Sequence, residues 1–237
     1  MGGRSHRPVT LPHIAIDGPV ASGKSTVALM VARRLNLLYV DTGAMYRAVA
    51  LAALRDGIEL DDGETLARIP QRHRIDLEPA ADARGYAVYL DGENVTAALF
   101  QSAVTAAVST VAAHQPVRRV LVERQRQIAL GRAVVMAGRD IGTVVLPEAP
   151  FKVFLTASVE ERVRRRLEEL RASGSTIDEQ TLRAEIVHRD HADSTRADSP
   201  LRAAPGAFVL DSSGMTAERV TDRIVSWVST GSAAGME

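Results

Sequence analysis

Short apolar runs bounded by Gly, Pro, Asp or Ser alternate along this chain with longer segments whose apolar residues recur every three to four positions. The runs His13–Asp17, Leu38–Val40, Ala133–Ala137, Phe151–Thr156 and Ala207–Asp211 read as core strands. The segments Gly23–Asn36, Gly43–Arg55, Pro116–Leu130, Val159–Ala172, Asp178–Ser194 and Ala217–Val228 read as amphipathic helices. Strands alternating with helices predict an α/β fold with a largely parallel sheet. Ser158-Val159-Glu160-Glu161 and Thr176-Ile177-Asp178-Glu179 each fit a capping box. Pro116 is suited to open its helix, and Gly174 to close the one before it. The alternation breaks between Asp61 and about Leu99. There His73–Glu78 and Tyr86–Leu90 read as strands and Asp91-Gly92 as a tight turn, which predicts a small antiparallel insert with a short helix.

Composition narrows the partners. The 237 residues are enough for one well-buried domain with inserts. A formal net charge of zero argues against a broad nucleic-acid-binding or membrane-binding surface. The longest strongly apolar run, Ala48–Leu54, is far short of the roughly 18 residues a membrane span needs. Met1–Pro12 has no apolar segment behind its basic residues and reads as a mobile leader, and Ser229–Glu237 reads as a frayed tail. With no cysteine there is no disulfide, thiolate nucleophile or Cys-bound zinc, in keeping with a cytoplasmic location. Of 29 basic residues only Lys24 and Lys152 are lysine. A chain so poor in lysine keeps one where a compact point charge is needed.

Lys24 lies in Gly18-Pro19-Val20-Ala21-Ser22-Gly23-Lys24-Ser25, followed by Thr26, a full match to G-x-x-x-x-G-K-[ST]. Glycines let the backbone turn so that successive N–H groups point at a phosphate, and the following helix adds its positive end. Lys24 then reaches the β- and γ-oxygens and the Ser25 hydroxyl ligates Mg²⁺. The apolar strand before and the helix after are the context this loop requires, so ATP and Mg²⁺ are the expected cofactors. No N-K-x-D or L-S-G-G-Q motif directs the reading toward a GTPase or a transporter ATPase. Small-molecule and nucleotide kinases remain.

Three further clusters fit an anionic acceptor. Thr42, Tyr46 and Arg47 gather an N-cap, an aromatic ring and a cation at one helix start. Arg139 and Asp140 follow a core strand, at the crevice where α/β sheets bind ligands. Arg189, Asp193 and Arg196 share a helix face. Between Arg162 and Arg171, Glu–Arg pairs at i,i+4, Glu161/Arg165 among them, describe a solvated face. Arg162 and Arg166 have no carboxylate at that spacing and read as a clamp for a transferring phosphate. His188 and His191 read as solvated, and His73 and His114 lack metal spacing. These clusters leave open adenylate-, uridylate- and metabolite-type kinases, and a nucleotide-dependent switch that phosphorylates nothing small.

The segments IDGPVASGKST, DTGAMYR, GRDIGTVV and RDHADSTRADSPL, in this order, resemble the bacterial cytidylate kinases from about Ile14 to Val228. The resemblance implies a doubly wound five-stranded parallel sheet, with a monophosphate-binding insert at about 61–99 and a mobile lid at about 162–196. It implies CMP and dCMP as substrates of a monomeric enzyme. Thr42, Tyr46, Arg47, Arg139 and Arg189 are then expected to hold phosphate, and Asp193 and Arg196 to contact ribose or lid. Ser109 and Arg118 contact cytosine and Asp140 accepts its 4-amino group on resemblance alone. Lys24, Arg139, Arg162, Arg166 and Arg189 form the expected catalytic set. Many relatives carry an acidic residue where this chain has Ala137, which leaves Asp17, Asp41 or Asp140 to orient the metal.

Overall fold

The computed structural model describes residues 13–172, 174 and 176–230. The expected leader and the tail from 231 lie outside them. In chain order come β1 (His13–Asp17), α1 (Lys24–Leu35), β2 (Leu38–Asp41), α2 (Thr42–Asp56), α3 (Gly63–Arg72), β3 (Ile75–Pro79), β4 (Tyr86–Leu90) and β5 (Glu93–Asn94). Then follow α4 (Ser102–Ala113), α5 (Gln115–Ala129), β6 (Val134–Gly138), β7 (Phe151–Thr156), α6 (Val159–Ala172), α7 (Glu179–Thr195), β8 (Phe208–Asp211) and α8 (Ala217–Thr230). Ser229 and Thr230, expected to fray, continue α8.

Five strands pair in parallel in the order β2-β6-β1-β7-β8. Ile14 and Ile16 of β1 belong to one core cluster and Ala15 to another, so the sheet is buried on both faces. α1 packs on α8, and α2 on α4. This is the doubly wound arrangement, with β1 at its centre and the phosphate loop at its carboxyl end. The three remaining strands form an antiparallel sheet, β3-β4-β5. Asp91 (φ 53°) and Gly92 (φ 87°) make the β4–β5 turn, where both central residues take positive φ. The strand expected from His73 begins at Ile75, because His73 instead caps α3.

Two caps differ from the sequence reading. Asp41, not Thr42, caps α2, its Oδ1 accepting from the Gly43 N–H at 3.0 Å. Asp178, not Thr176, caps α7 by accepting from the Thr181 N–H at 2.9 Å. A carboxylate in each case outcompetes the neighbouring hydroxyl for the free N–H groups of the first turn. Ser158 does cap α6, accepting from the Glu161 N–H at 3.2 Å. α4 was not anticipated, because its Val and Thr residues lower helix propensity. Its buried Val104, Ala107, Val108 and Val111 nonetheless fall at i, i+3, i+4 and i+7.

Candidate active site

The chain leaves β1 at Gly18, where a Cβ would stand 2.1 Å from the Leu155 carbonyl oxygen. Only glycine passes there. Ala21 (φ 57°) and Gly23 (φ 85°) then adopt left-handed conformations, which turn successive peptide N–H groups to one side as an anion nest. The Lys24 ammonium reaches back across the loop to the Pro19 carbonyl at 3.1 Å. Burial lowers its pKa well below the ordinary value, and Arg139 and Arg189 add repulsion against the pull of Asp41 and Asp193. Ser25 and Thr26 are exposed at the start of α1. Every residue from Gly18 to Thr26 therefore belongs to one loop and helix start, as expected.

Asp17, 3% exposed, places both carboxylate oxygens 2.8 Å from backbone N–H groups, those of Ile141 and Gly142. Burial raises its pKa to about 6, against the lowering by those two N–H groups. Its lone pairs are used to hold the turn Ile141–Val145 against β1, so Asp17 is not free to orient a metal. Asp140 is also engaged, in a buried ion pair with Arg118. Asp41 uses Oδ1 to cap α2, but it is the one of the three connected to the loop, through the Tyr39 hydroxyl. Its Oδ2 lies 3.4 Å from the hydroxyls of Tyr39 and Tyr86, and the Tyr39 hydroxyl sits beside Ser25. Ser25 with Asp41 is an oxygen-donor set that suits Mg²⁺, a cation that keeps several waters and substrate phosphates as ligands.

The residues expected on the acceptor side lie next to this loop. The Thr42 hydroxyl donates to the Ala137 carbonyl at 2.9 Å and ties α2 to β6. Arg47 donates to the Leu99 carbonyl and the Thr105 hydroxyl, each at 3.0 Å, and lies 5.2 Å from the Phe100 ring centroid. Burial lowers its pKa, with Arg166 and Arg139 acting in the same direction. Tyr46 is buried, with Arg118 5.7 Å above its ring, and burial raises its pKa to about 12. Ser109 lies half-buried on α4 with no hydrogen bond to another side chain among the described residues. The structure thus brings Tyr46, Arg118 and Asp140 together and leaves Ser109 unengaged.

Arg139 and Asp140, adjacent in sequence, do not pair with each other. Arg139 Nε donates to Asp193 on α7 at 2.8 Å. Arg196 stands 3.9 Å from Asp193 and 4.0 Å from Asp140. Arg189 has a buried Nε without a hydrogen-bond partner, and burial followed by Arg139 lowers its pKa to about 10. Burial opposes ionisation of Asp193, yet Arg139, Arg189 and Arg196 together hold its carboxyl below the usual value. Lys24, Arg139 and Arg189 therefore form a group of mutually repelling cations withdrawn from water. Asp193 offsets only part of that repulsion, and the group fits a polyanion as further counter-charge.

Arg162 and Arg166 are not without carboxylates: Arg162 meets Asp190 of α7 at 2.6 Å and Arg166 meets Glu169 at 2.8 Å. The Asp190 partner is invisible at i±4 because it comes from another helix. Arg166 still acts electrostatically on Arg47 and Arg189, whereas Arg162 is buried against the phosphate loop. Arg165, read as part of a solvated face, pairs with Glu161 but also reaches the loop at Ser22. Arg165 and Asp190 are the site neighbours that sequence reasoning missed. His188 and His191 are exposed as expected, and no cluster of three or more His, Cys, Asp or Glu suited to a metal occurs among the described residues.

A model of the cytidylate kinase family matches residues 14–230. A cytidylate kinase of Pelotomaculum thermopropionicum is 51% identical over 222 residues, which covers 94% of this chain and 98% of that one. One of Desulforamulus reducens is 52% identical over 218 residues, covering 92% and 97%. Among solved structures, an uncharacterized protein from Eubacterium ventriosum aligns with a TM-score of 0.53 at 14% identity. That alignment covers 92% of this chain and 99% of the other, and it is a likeness of fold alone.

Proposed function

Because this chain belongs to the cytidylate kinase family and its reaction is therefore the ATP-dependent phosphorylation of CMP, we propose that its buried cation group is what aligns and neutralises the two substrates. The buried Nε of Arg189, without a hydrogen-bond partner among the described residues and close enough to Lys24 and Arg139 to repel them, is the observation that supports this reading most directly. The loop Gly18–Thr26 holds the donor phosphates, and Lys24 takes the β- and γ-oxygens. Arg139, Arg189 and Arg47 hold the acceptor phosphate with Thr42 and Tyr46 beside it. Arg166 faces the transferring group from the lid. Asp193 and Arg196 meet the ribose, and dCMP is accepted along with CMP. Ser25 and Asp41 would hold Mg²⁺, which would offset charge on the β- and γ-phosphates.

No general base is needed. A phosphate monoester has a second pKa of about 6, so the acceptor is largely dianionic at neutral pH and is already nucleophilic. What remains is alignment and charge, which arginine forks supply. The α6–α7 lid excludes water so that ATP is not hydrolysed, and the β3–β5 insert closes over the monophosphate. The enzyme acts as a cytoplasmic monomer. No helix among the described residues is long and apolar enough to cross a membrane.

Base selection rests on Arg118, Asp140 and Ser109. Cytosine offers acceptors at O2 and N3 and a 4-amino donor, whereas uracil presents O4 as an acceptor and a protonated N3. Facing uracil, Asp140 meets O4 with no proton between them. Each buried polar group left unpaired costs about 1–3 kcal/mol. A coupled ADP-release assay across CMP, dCMP, UMP, AMP, GMP and shikimate should show kcat/KM for CMP about 100-fold or more above UMP. Asp140→Asn should narrow that gap, since an amide can donate to O4. Equal use of UMP and CMP by the unaltered protein would remove the cytosine-site assignment and leave the kinase intact.

A further inference from the structure

The phosphate loop has an outer rim as well as an inner nest. When the N–H groups of a loop converge on an anion, the carbonyls of the same peptides face outward and need donors of their own. Here the Val20 carbonyl accepts from Arg162 Nη1 at 3.2 Å, and the Ser22 carbonyl accepts from Arg165 Nη1 at 3.2 Å and Ser212 Oγ at 3.3 Å. Both arginines come from α6, three residues apart and so on one face. Neither has a fork free for substrate. Arg162 is 5% exposed and paired with Asp190, while the rest of the Arg165 guanidinium is held by Glu161 and by the Ser212 hydroxyl and carbonyl.

We infer that Arg162 and Arg165 are positioning residues for donor-phosphate binding, acting through the loop peptides and not on the nucleotide. A guanidinium on the Val20 carbonyl polarises the peptide whose N–H belongs to Ala21, and one on the Ser22 carbonyl polarises the peptide whose N–H belongs to Gly23. Hydrogen bonds that share a peptide strengthen one another, so each outer cation makes the inner donor stronger. The same contacts bracket Ala21, a residue with a side chain held at φ 57°, and keep it in a conformation it would otherwise leave. Arg162 also joins the loop to α7 through Asp190, the neighbour of Arg189. The inference rests on the reading that this loop binds donor phosphates and is independent of which acceptor is used.

The test uses the whole chain labelled with ¹⁵N, with calorimetric binding of tripolyphosphate, ADP and CMP measured separately. Arg165→Gln should weaken tripolyphosphate and ADP about tenfold, the loss of one charge-assisted hydrogen bond. CMP affinity should stay within about twofold. The Gly23 amide resonance should move upfield in the free protein. Arg165→Lys, which keeps a charge near the Ser22 carbonyl, should recover part of the affinity. Ser212→Ala removes the neutral donor to the Ser22 carbonyl and one of the acceptors that hold Arg165; it should weaken ADP by less than Arg165→Gln, which keeps the question decidable if that variant does not fold. Arg162→Gln should shift the Ala21 amide and weaken ADP likewise. ADP and tripolyphosphate affinities unchanged in the folded variants would overturn the inference. So would equal losses for ADP and CMP, which would mark a merely structural role. Because the expected losses are read on tripolyphosphate and ADP and no turnover is measured, a failed acceptor assignment would remove only the CMP comparison.

Discussion

Lys24 shows how one residue can be costly to the fold and necessary to the reaction. Burial and the neighbouring Arg139 lower its pKa, so its charged form is disfavoured in the folded protein at every pH below its ordinary value. A phosphate at the loop reverses that balance by supplying the missing counter-charge. Lys24→Ala should therefore stay folded, with a melting temperature equal to or slightly above that of the unaltered chain. Turnover with CMP should fall by about two orders of magnitude or more, because the lost charge acts where the transition state is most anionic. Differential scanning calorimetry together with the coupled assay checks both halves. Turnover above about a tenth of the original would remove Lys24 from its assigned role.

At the level of elements, the insert is joined to α2 by side chains at its outer edge. His73, at the end of α3, places Nδ1 2.6 Å from Asp91 in the β4–β5 turn and Nε2 3.0 Å from Asp56 at the end of α2. Arg55 of α2 holds Glu93 of β5 through two nitrogens at 2.8 and 2.9 Å. The hydrogen bond to Asp91, with a lesser one to Asp56, raises the His73 pKa above 6.5 despite partial burial. A histidine with a raised folded pKa contributes stability that is complete below its unfolded value and is lost as pH climbs through the folded one. The melting temperature should thus decline as pH rises from about 6.5, and His73→Gln should lose that part of the decline, roughly one to two degrees. Identical pH profiles for the two proteins would show that the strap carries no charge. The same insert shows why turns are read more reliably than strand starts: Asp91-Gly92 is local chemistry, whereas the start of β3 was set by the partners of His73.

For the whole molecule, the main fact is that α2, β6 and α7 deliver cations to one place beside the phosphate loop. Lys24, Arg47 and Arg189 are all shifted downward, each by burial first and then by other arginines. The free protein holds this arrangement against its own repulsion, so any fitting anion should stabilise it. Inorganic phosphate should raise the melting temperature, and CMP at the same concentration should raise it further because it makes more contacts and binds more tightly. A ligand at 100 times its Kd adds about 2.7 kcal/mol. The phosphate effect should shrink with added chloride, since screening relieves the same repulsion. No response to phosphate or CMP in a thermal melt would mean that these cations are not gathered in solution.

The sequence by itself determined what depends on neighbours along the chain. The strand–loop–helix of Gly18–Thr26 is a local motif, and the five core strands follow from apolar runs too short for helices, so both were legible within a residue at each strand end. Resemblance added Ser109 and Arg118, to which spacing alone gave no access. Tertiary structure decided which charged groups meet. Arg165 had a suitable carboxylate four residues away in Glu161, so nothing in its surroundings pointed to a second engagement with the Ser22 carbonyl. Asp190 looked like one more polar residue on a lid helix until folding set it against Arg162. Asp17, Asp41 and Asp140 were equal candidates for the metal as letters. Only the fold separated them, with Asp17 held by backbone N–H groups, Asp140 by Arg118, and Asp41 connected to Ser25 through the Tyr39 hydroxyl. Helical and strand periods are short-range and repeat along the chain. The pairing of buried charges is long-range, set by which elements the core brings side by side, and no period in the sequence encodes it.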